Sequence, residues 1–168
     1  MTRPSPLATP APPFVHLAVS PGGALSGPAV PPGTLVRRID GRRALAKPAL
    51  LRELARAFGL PETFGANWDA LEDSLSDLGE LTAPGYLLAI EHADRLLAGK
   101  PAEYRTLLAI LEAVGRWWAT PQDGPAARPA RPFHTVLAVA PDRLRVRRSW
   151  RAAPLEPASG AEAPRPAP

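Results

Sequence analysis

The chain has 168 residues, a formal net charge of +4, 23 prolines and no cysteine. The lack of cysteine excludes a disulfide framework and a thiolate metal site, and there is no apolar run of the length that crosses a membrane. The first thirty residues lack a charged segment followed by an apolar one, so a soluble, cytoplasmic protein is expected.

In chain order, residues 1–33 read as a Pro-rich extension in which Phe14–Ser20 (FVHLAVS) alternates weakly, a candidate short strand. Thr34–Ile39 (TLVRRI) is strand-like, and Asp40-Gly41 supplies a turn. Pro48 suits the first turn of a helix. Leu50, Leu51, Leu54 and Phe58 then recur at helical spacing, and Gly59 ends the run. Leu60–Phe64 is a short loop held by Pro61. Asn67 is a good N-cap for an amphipathic helix placed over 65–79. Its apolar stripe is Trp68, Leu71, Leu75 and Leu78. Asp69, Glu72, Asp73, Ser76 and Asp77 cover the rest of its surface.

Gly85–Ile90 (GYLLAI) is a continuous apolar run, as in a strand buried on both faces. Ala93–Leu97 suits a short helix. Pro101 opens a longer one, with Tyr104, Leu107, Leu108, Leu111 and Val114 or Gly115 inward, ending near Trp118. Phe133–Ala140 (FHTVLAVA) is a further strand. Helices between strands favour a parallel sheet. The expected fold is α/β, a two-layer sandwich with a three-stranded parallel sheet and helices packed on one side. The domain is set at 34–140. Residues 141–168, rich in Arg, Pro and Ala, read as a disordered C-terminal tail, within which 143–148 alternates enough to suggest an added edge strand.

No catalytic or metal-binding constellation is present. His16, His92 and His134 share no ligand spacing, Gly22-Gly23 precedes no helix, and there is no GxSxG. No catalytic residue, metal or cofactor is expected. Charge is informative instead. From Ala57 to Asp94 there is no Lys or Arg, while Glu62, Asp69, Glu72, Asp73, Asp77, Glu80, Glu91 and Asp94 are acidic. An anionic middle repels phosphate despite the basic whole. Asp69 and Asp73 stand at i and i+4, side by side on one helix face, where like charges are mildly destabilising. One reading is a solvated face, with Asp69 complementing the helix dipole. The other is a binding surface, which a row without counter-charge favours.

The segment Leu60-Pro61-Glu62-Thr63-Phe64-Gly65-Ala66-Asn67-Trp68-Asp69-Ala70-Leu71-Glu72-Asp73-Ser74-Leu75 resembles the signature of the barstar family, inhibitors of barnase-like ribonucleases. The order of elements over 34–140 is similar as well. The resemblance implies that Asp73 enters a ribonuclease active site where substrate phosphate would lie, with Asp69 meeting the same basic cluster. It places Asn67 and Ser76 at the interface and its rim, with Glu72 and Asp77 extending the negative field. Glu112 of the later helix matches a further interface acid. Thr63, Glu72 and Leu78 stand where the family prototype carries aromatic residues, and aromatics are common interface anchors.

The resemblance thus implies an intracellular, non-enzymatic inhibitor, acting in self-protection or as a toxin's immunity partner (an antitoxin). It would be monomeric when free and would form a 1:1 complex with a secreted or toxin-type ribonuclease. The alternatives are a module of the same fold that binds another basic protein, or a nucleic-acid binder acting through Arg143, Arg145, Arg147, Arg148 and Arg151.

Overall fold

A computed structural model of the chain describes residues 5–27, 30–61, 63–78, 81–125, 127–147 and 149–155. Five strands, β1 (Val15–Val19), β2 (Leu35–Asp40), β3 (Tyr86–Glu91), β4 (Phe133–Val139) and β5 (Ala153–Pro154), form one sheet in the order β2-β3-β4-β1-β5. Every pairing is parallel. Parallel neighbours need crossovers. Helices α1 (Lys47–Phe58) and α2 (Trp68–Ser76) lie between β2 and β3, and α3 (Pro101–Ala119) lies between β3 and β4.

The helices take one face of the sheet, as expected. Leu35 and Ile39, Tyr86, Leu88 and Ile90, and Phe133, Leu137 and Val139 point to that face at strand alternation. They share a core with Leu50, Leu51, Leu54 and Phe58 of α1, Leu71 and Leu75 of α2, and Leu107, Leu111 and Trp118 of α3. Gly59 ends α1 in the left-handed region, at φ 64, where glycine has no Cβ to clash.

The sheet has five strands where three were expected, and both extra strands come from the flanks. β4 is buried at all seven positions. A three-stranded sheet would leave its far edge with unpaired backbone, which is costly when buried. β1 fills that edge, Val15 opposite Thr135 and Val19 opposite Val139. Phe14 then packs on α3 at Gly115, where a Cβ would lie 2.4 Å from the Phe14 ring. β5 pairs in turn with β1, His16 opposite Ala153.

Residues 141–155 depart from the disordered tail expected of 141–168. Pro141–Val146 is a 3-10 helix rather than an edge strand. Trp150 is buried, donating from Nε1 to the Leu144 carbonyl and accepting at its own carbonyl from the Tyr104 hydroxyl. The Arg147 guanidinium sits 3.8 Å from the Tyr104 ring centroid and donates to the Leu96 carbonyl. One tryptophan and a stacked arginine outweigh the polar composition, because each buries a large flat surface. Residues 156–168 lie outside the described residues.

The second face of the sheet is covered by the N-terminal segment. Leu7, Ala18, Leu87 and Val136 form a small core there with Leu25, Val30, Val36 and Leu155. Beneath the segment, His16 Nε2 lies 3.0 Å from His134 Nδ1, and His134 Nε2 lies 2.9 Å from the Thr9 carbonyl oxygen. Both rings are buried.

Candidate functional site

The acidic helix is shorter than expected, Trp68–Ser76 rather than 65–79, and it is fixed at both ends. Asn67 has extended backbone, and its Oδ1 accepts from the Ala70 N–H at 2.8 Å, satisfying an N–H that the helix itself cannot. Gly65 and Ala66 make the approach, Ala66 at φ 48, a conformation an alanine adopts at some cost. At the far end the Asp77 N–H reaches the Asp73 carbonyl.

The inner stripe anchors the helix. Leu71 and Leu75 are fully buried and Leu78 nearly so. Trp118 of α3 donates from Nε1 to the Leu75 carbonyl at 2.8 Å. Trp68 belongs to the same stripe but is less buried than its leucines. It is half-buried, and the Lys47 ammonium caps its ring, 4.9 Å from the centroid. Lys47 belongs to α1, so a window along the sequence does not find this basic neighbour.

The outer face carries Asp69, Glu72 and Asp73, all exposed. Among the described residues none of the three makes an ion pair, although Asp40, Glu53, Glu91 and Asp94 all do. Glu91 is held by Arg38 at 2.6 Å and Asp94 by Arg143 at 3.1 Å. Among the described residues of 57–94, Asp69, Glu72 and Asp73 thus form an exposed acidic face on one helix. Asp69 and Asp73 sit one turn apart, about 6 Å along the axis, and Asp69 lies in the first turn, facing the positive end of the helix dipole.

The other candidate residues spread around this face. Asn67 and Thr63 are exposed in and beside the loop, Asp77 is exposed at the helix end, and Ser76 is half-buried. Leu78 points inward. Glu112 is not brought to the row. Its Oε1 accepts from the backbone N–H of Val15 at 3.1 Å, because the added strand β1 presents an N–H to α3 that needs a partner. Glu62 and Glu80 lie outside the described residues.

Beside the N-terminus of α2 is a shallow cleft that the sequence did not reveal. It is lined by Leu51 and Ala55 of α1 together with Leu60, Pro61 and Phe64. Arg52 and Arg56 stand on its α1 side. Arg56 is paired with Glu53, and Arg52 makes no ion pair among the described residues.

No cluster of three or more His, Cys, Asp or Glu able to hold a metal occurs among the described residues. No curated protein matches the chain. The family model for Barstar (barnase inhibitor) matches residues 34–138, more than half of the 168, and runs from β2 into β4 with α2 inside it. The chain belongs to the Barstar (barnase inhibitor) family.

Proposed function

We propose that this chain is a protein inhibitor of a barnase-like ribonuclease and that the exposed face of α2 blocks the enzyme's active site. The observation that carries the reading is the row Asp69, Glu72 and Asp73, exposed and without ion pairs among the described residues, on a helix whose opposite side is anchored by Leu71, Leu75 and the Trp118 indole. A ribonuclease gathers basic side chains to stabilise phosphoryl transfer. Carboxylates held on a rigid helix meet that cluster at little entropic cost, and Arg–carboxylate pairs there are bidentate and partly desolvated. Asp73 is the central contact, Asp69 the second, and Asn67, Thr63, Glu72, Ser76 and Asp77 border them.

The chain acts as a binding protein, not an enzyme, in a 1:1 complex, and serves self-protection or toxin immunity in the cytoplasm. No helix of the described residues is long and apolar enough to cross a membrane. Two of the C-terminal arginines are engaged within the fold, Arg143 paired to Asp94 and Arg147 stacked on Tyr104, which speaks against nucleic-acid binding through those two. The test is titration of barnase activity on RNA. The chain should inhibit it at stoichiometric concentration. Asp73→Ala should weaken inhibition by at least ~10-fold, and Asp69→Ala less. No inhibition by the native chain, or equal inhibition by Asp73→Ala, overturns the reading.

A further inference from the structure

The parallel strands β1 to β4 all end on one side of the sheet, and the chain leaves those ends in two directions. After β1 it turns over the second face, where Leu25 joins the small core. After β3 and β4 it turns over the helix face, where Leu96 and Leu144 pack. In open parallel sheets such a divergence leaves a crevice beyond the strand ends, which is where ligands bind. Here the crevice is an open cleft of about 470 Å³. The turn after β1 contributes Gly22 to it, the turn after β2 Arg42, the turn after β3 Arg95, and the turn after β4 Asp142 and Arg143. No residue of α2 lines it, and Gly22, Asp142 and Arg143 lie outside the segment matched to the family.

The turns around the cleft are fixed to one another. The His92 N–H donates to the Gly23 carbonyl at 2.8 Å and the Ala93 N–H to the Ala138 carbonyl at 2.9 Å. A Cβ on Gly41 would lie 2.4 Å from the His92 carbonyl oxygen, so the turn after β2 meets the turn after β3 only through glycine. His92 itself stands at φ 47, a left-handed conformation that costs energy in a residue with a Cβ. A site on these turns is held in place before any ligand arrives.

We infer that this cleft binds a phosphorylated sugar, with the phosphate on its arginines. Arg42 spends Nε and Nη2 on the Asp40 carboxylate, and Arg143 spends Nε on Asp94. Each is thereby oriented and keeps further N–H donors for a ligand, since a guanidinium has five. Arg95 is exposed and makes no ion pair among the described residues. Three guanidiniums with donors to spare call for an anion with several acceptor oxygens, and the guanidinium fork matches phosphate. Asp142 selects the rest of the ligand. It is exposed and without an ion pair among the described residues, so it repels a bare phosphate dianion and accepts from hydroxyl groups carried beside the phosphate.

The test is a titration of the full 15N-labelled chain at constant ionic strength, followed by amide chemical shifts, with ribose 5-phosphate, inorganic phosphate and ribose as probes. Ribose 5-phosphate should give saturable shifts at Gly22, Arg95 and Arg143 with a dissociation constant of about 1 mM or lower. Inorganic phosphate should bind more weakly, and ribose should not bind. Arg95→Ala should weaken ribose 5-phosphate by at least ~10-fold, while Arg105→Ala on the exposed surface of α3 leaves it unchanged. Asp142→Ala should weaken ribose 5-phosphate and leave inorganic phosphate equal or tighter. The amide spectrum of each variant reports its fold. Absence of saturable shifts at the cleft, equal affinity in Arg95→Ala, or the same shifts with sodium chloride overturns the inference. Undiminished binding of ribose 5-phosphate by Asp142→Ala overturns the assignment to a sugar phosphate.

Discussion

Mild acid should destabilise this protein through the His16–His134 pair. The Thr9 carbonyl can only accept, so His134 Nε2 carries a hydrogen, and His134 Nδ1 is left to accept from His16 Nε2–H. Burial favours the neutral form of both rings, and in that form the three groups make a satisfied chain of hydrogen bonds. Burial, and then the neighbouring His134, push His16 from 6.5 down to about 4. Burial also lowers His134, against the opposing pull of the Thr9 carbonyl, the Glu112 carboxylate of α3 and the Pro13 carbonyl. A group depressed on folding binds more protons in the unfolded chain between the two values. Stability is therefore complete above about pH 6.5 and falls as pH drops toward 4. For His16 alone the loss between pH 7.5 and 5 is about 2 kcal/mol, a large share of a typical domain stability of about 5–15 kcal/mol. Urea unfolding followed by tryptophan fluorescence should show a midpoint about 1 M lower at pH 5. His16→Gln, whose amide can still donate to His134 Nδ1, should flatten that slope. A native stability that is flat from pH 7.5 to 5, or an unchanged slope in His16→Gln, would refute the proposed protonation coupling.

Leu71→Ala, at a fully buried position of α2, should cost about 2–5 kcal/mol in chemical denaturation. Gly115→Ala places a methyl 2.4 Å from the Phe14 ring and should cost about 1–3 kcal/mol by displacing the N-terminal strand, seen as new protease cleavage before residue 20. If the α2 acids steer a basic ribonuclease, stopped-flow association should slow steeply with rising salt while dissociation changes less. An association rate flat in salt would remove steering from the account.

Much of the fold and of the site was legible because each rested on a local pattern. The stripe Leu71, Leu75, Leu78 and the cap at Asn67 set the phase of α2, and with it the exposure of Asp69, Glu72 and Asp73. What was not legible depended on partners distant in sequence. Phe14–Ser20 alternates enough to suggest a strand, and Val15–Val19 is one, but that it joins the open edge of β4 cannot be read from those residues. Trp150 was visible as an apolar residue among arginines, yet only Tyr104 and Leu144 explain its burial. Lys47 reaches Trp68 across the gap between two helices. Glu112 turns to Val15 because the added strand supplies an N–H there.

The strand order has a consequence for the life of the chain on the ribosome. β1 lies between β4 and β5, so the first strand made is flanked by the last two, each more than a hundred residues later in sequence. Until Phe133–Val139 emerges, Val15–Val19 has no edge to join, and closing such long loops is slow. The segment matched to the family can assemble β2 and β3 with α1 and α2 while synthesis continues, but the sheet closes only once Pro154 has left the exit tunnel. During that interval the nascent chain shows its apolar N-terminal strand to whatever else is present, a window in which chaperone capture or aggregation competes with completion.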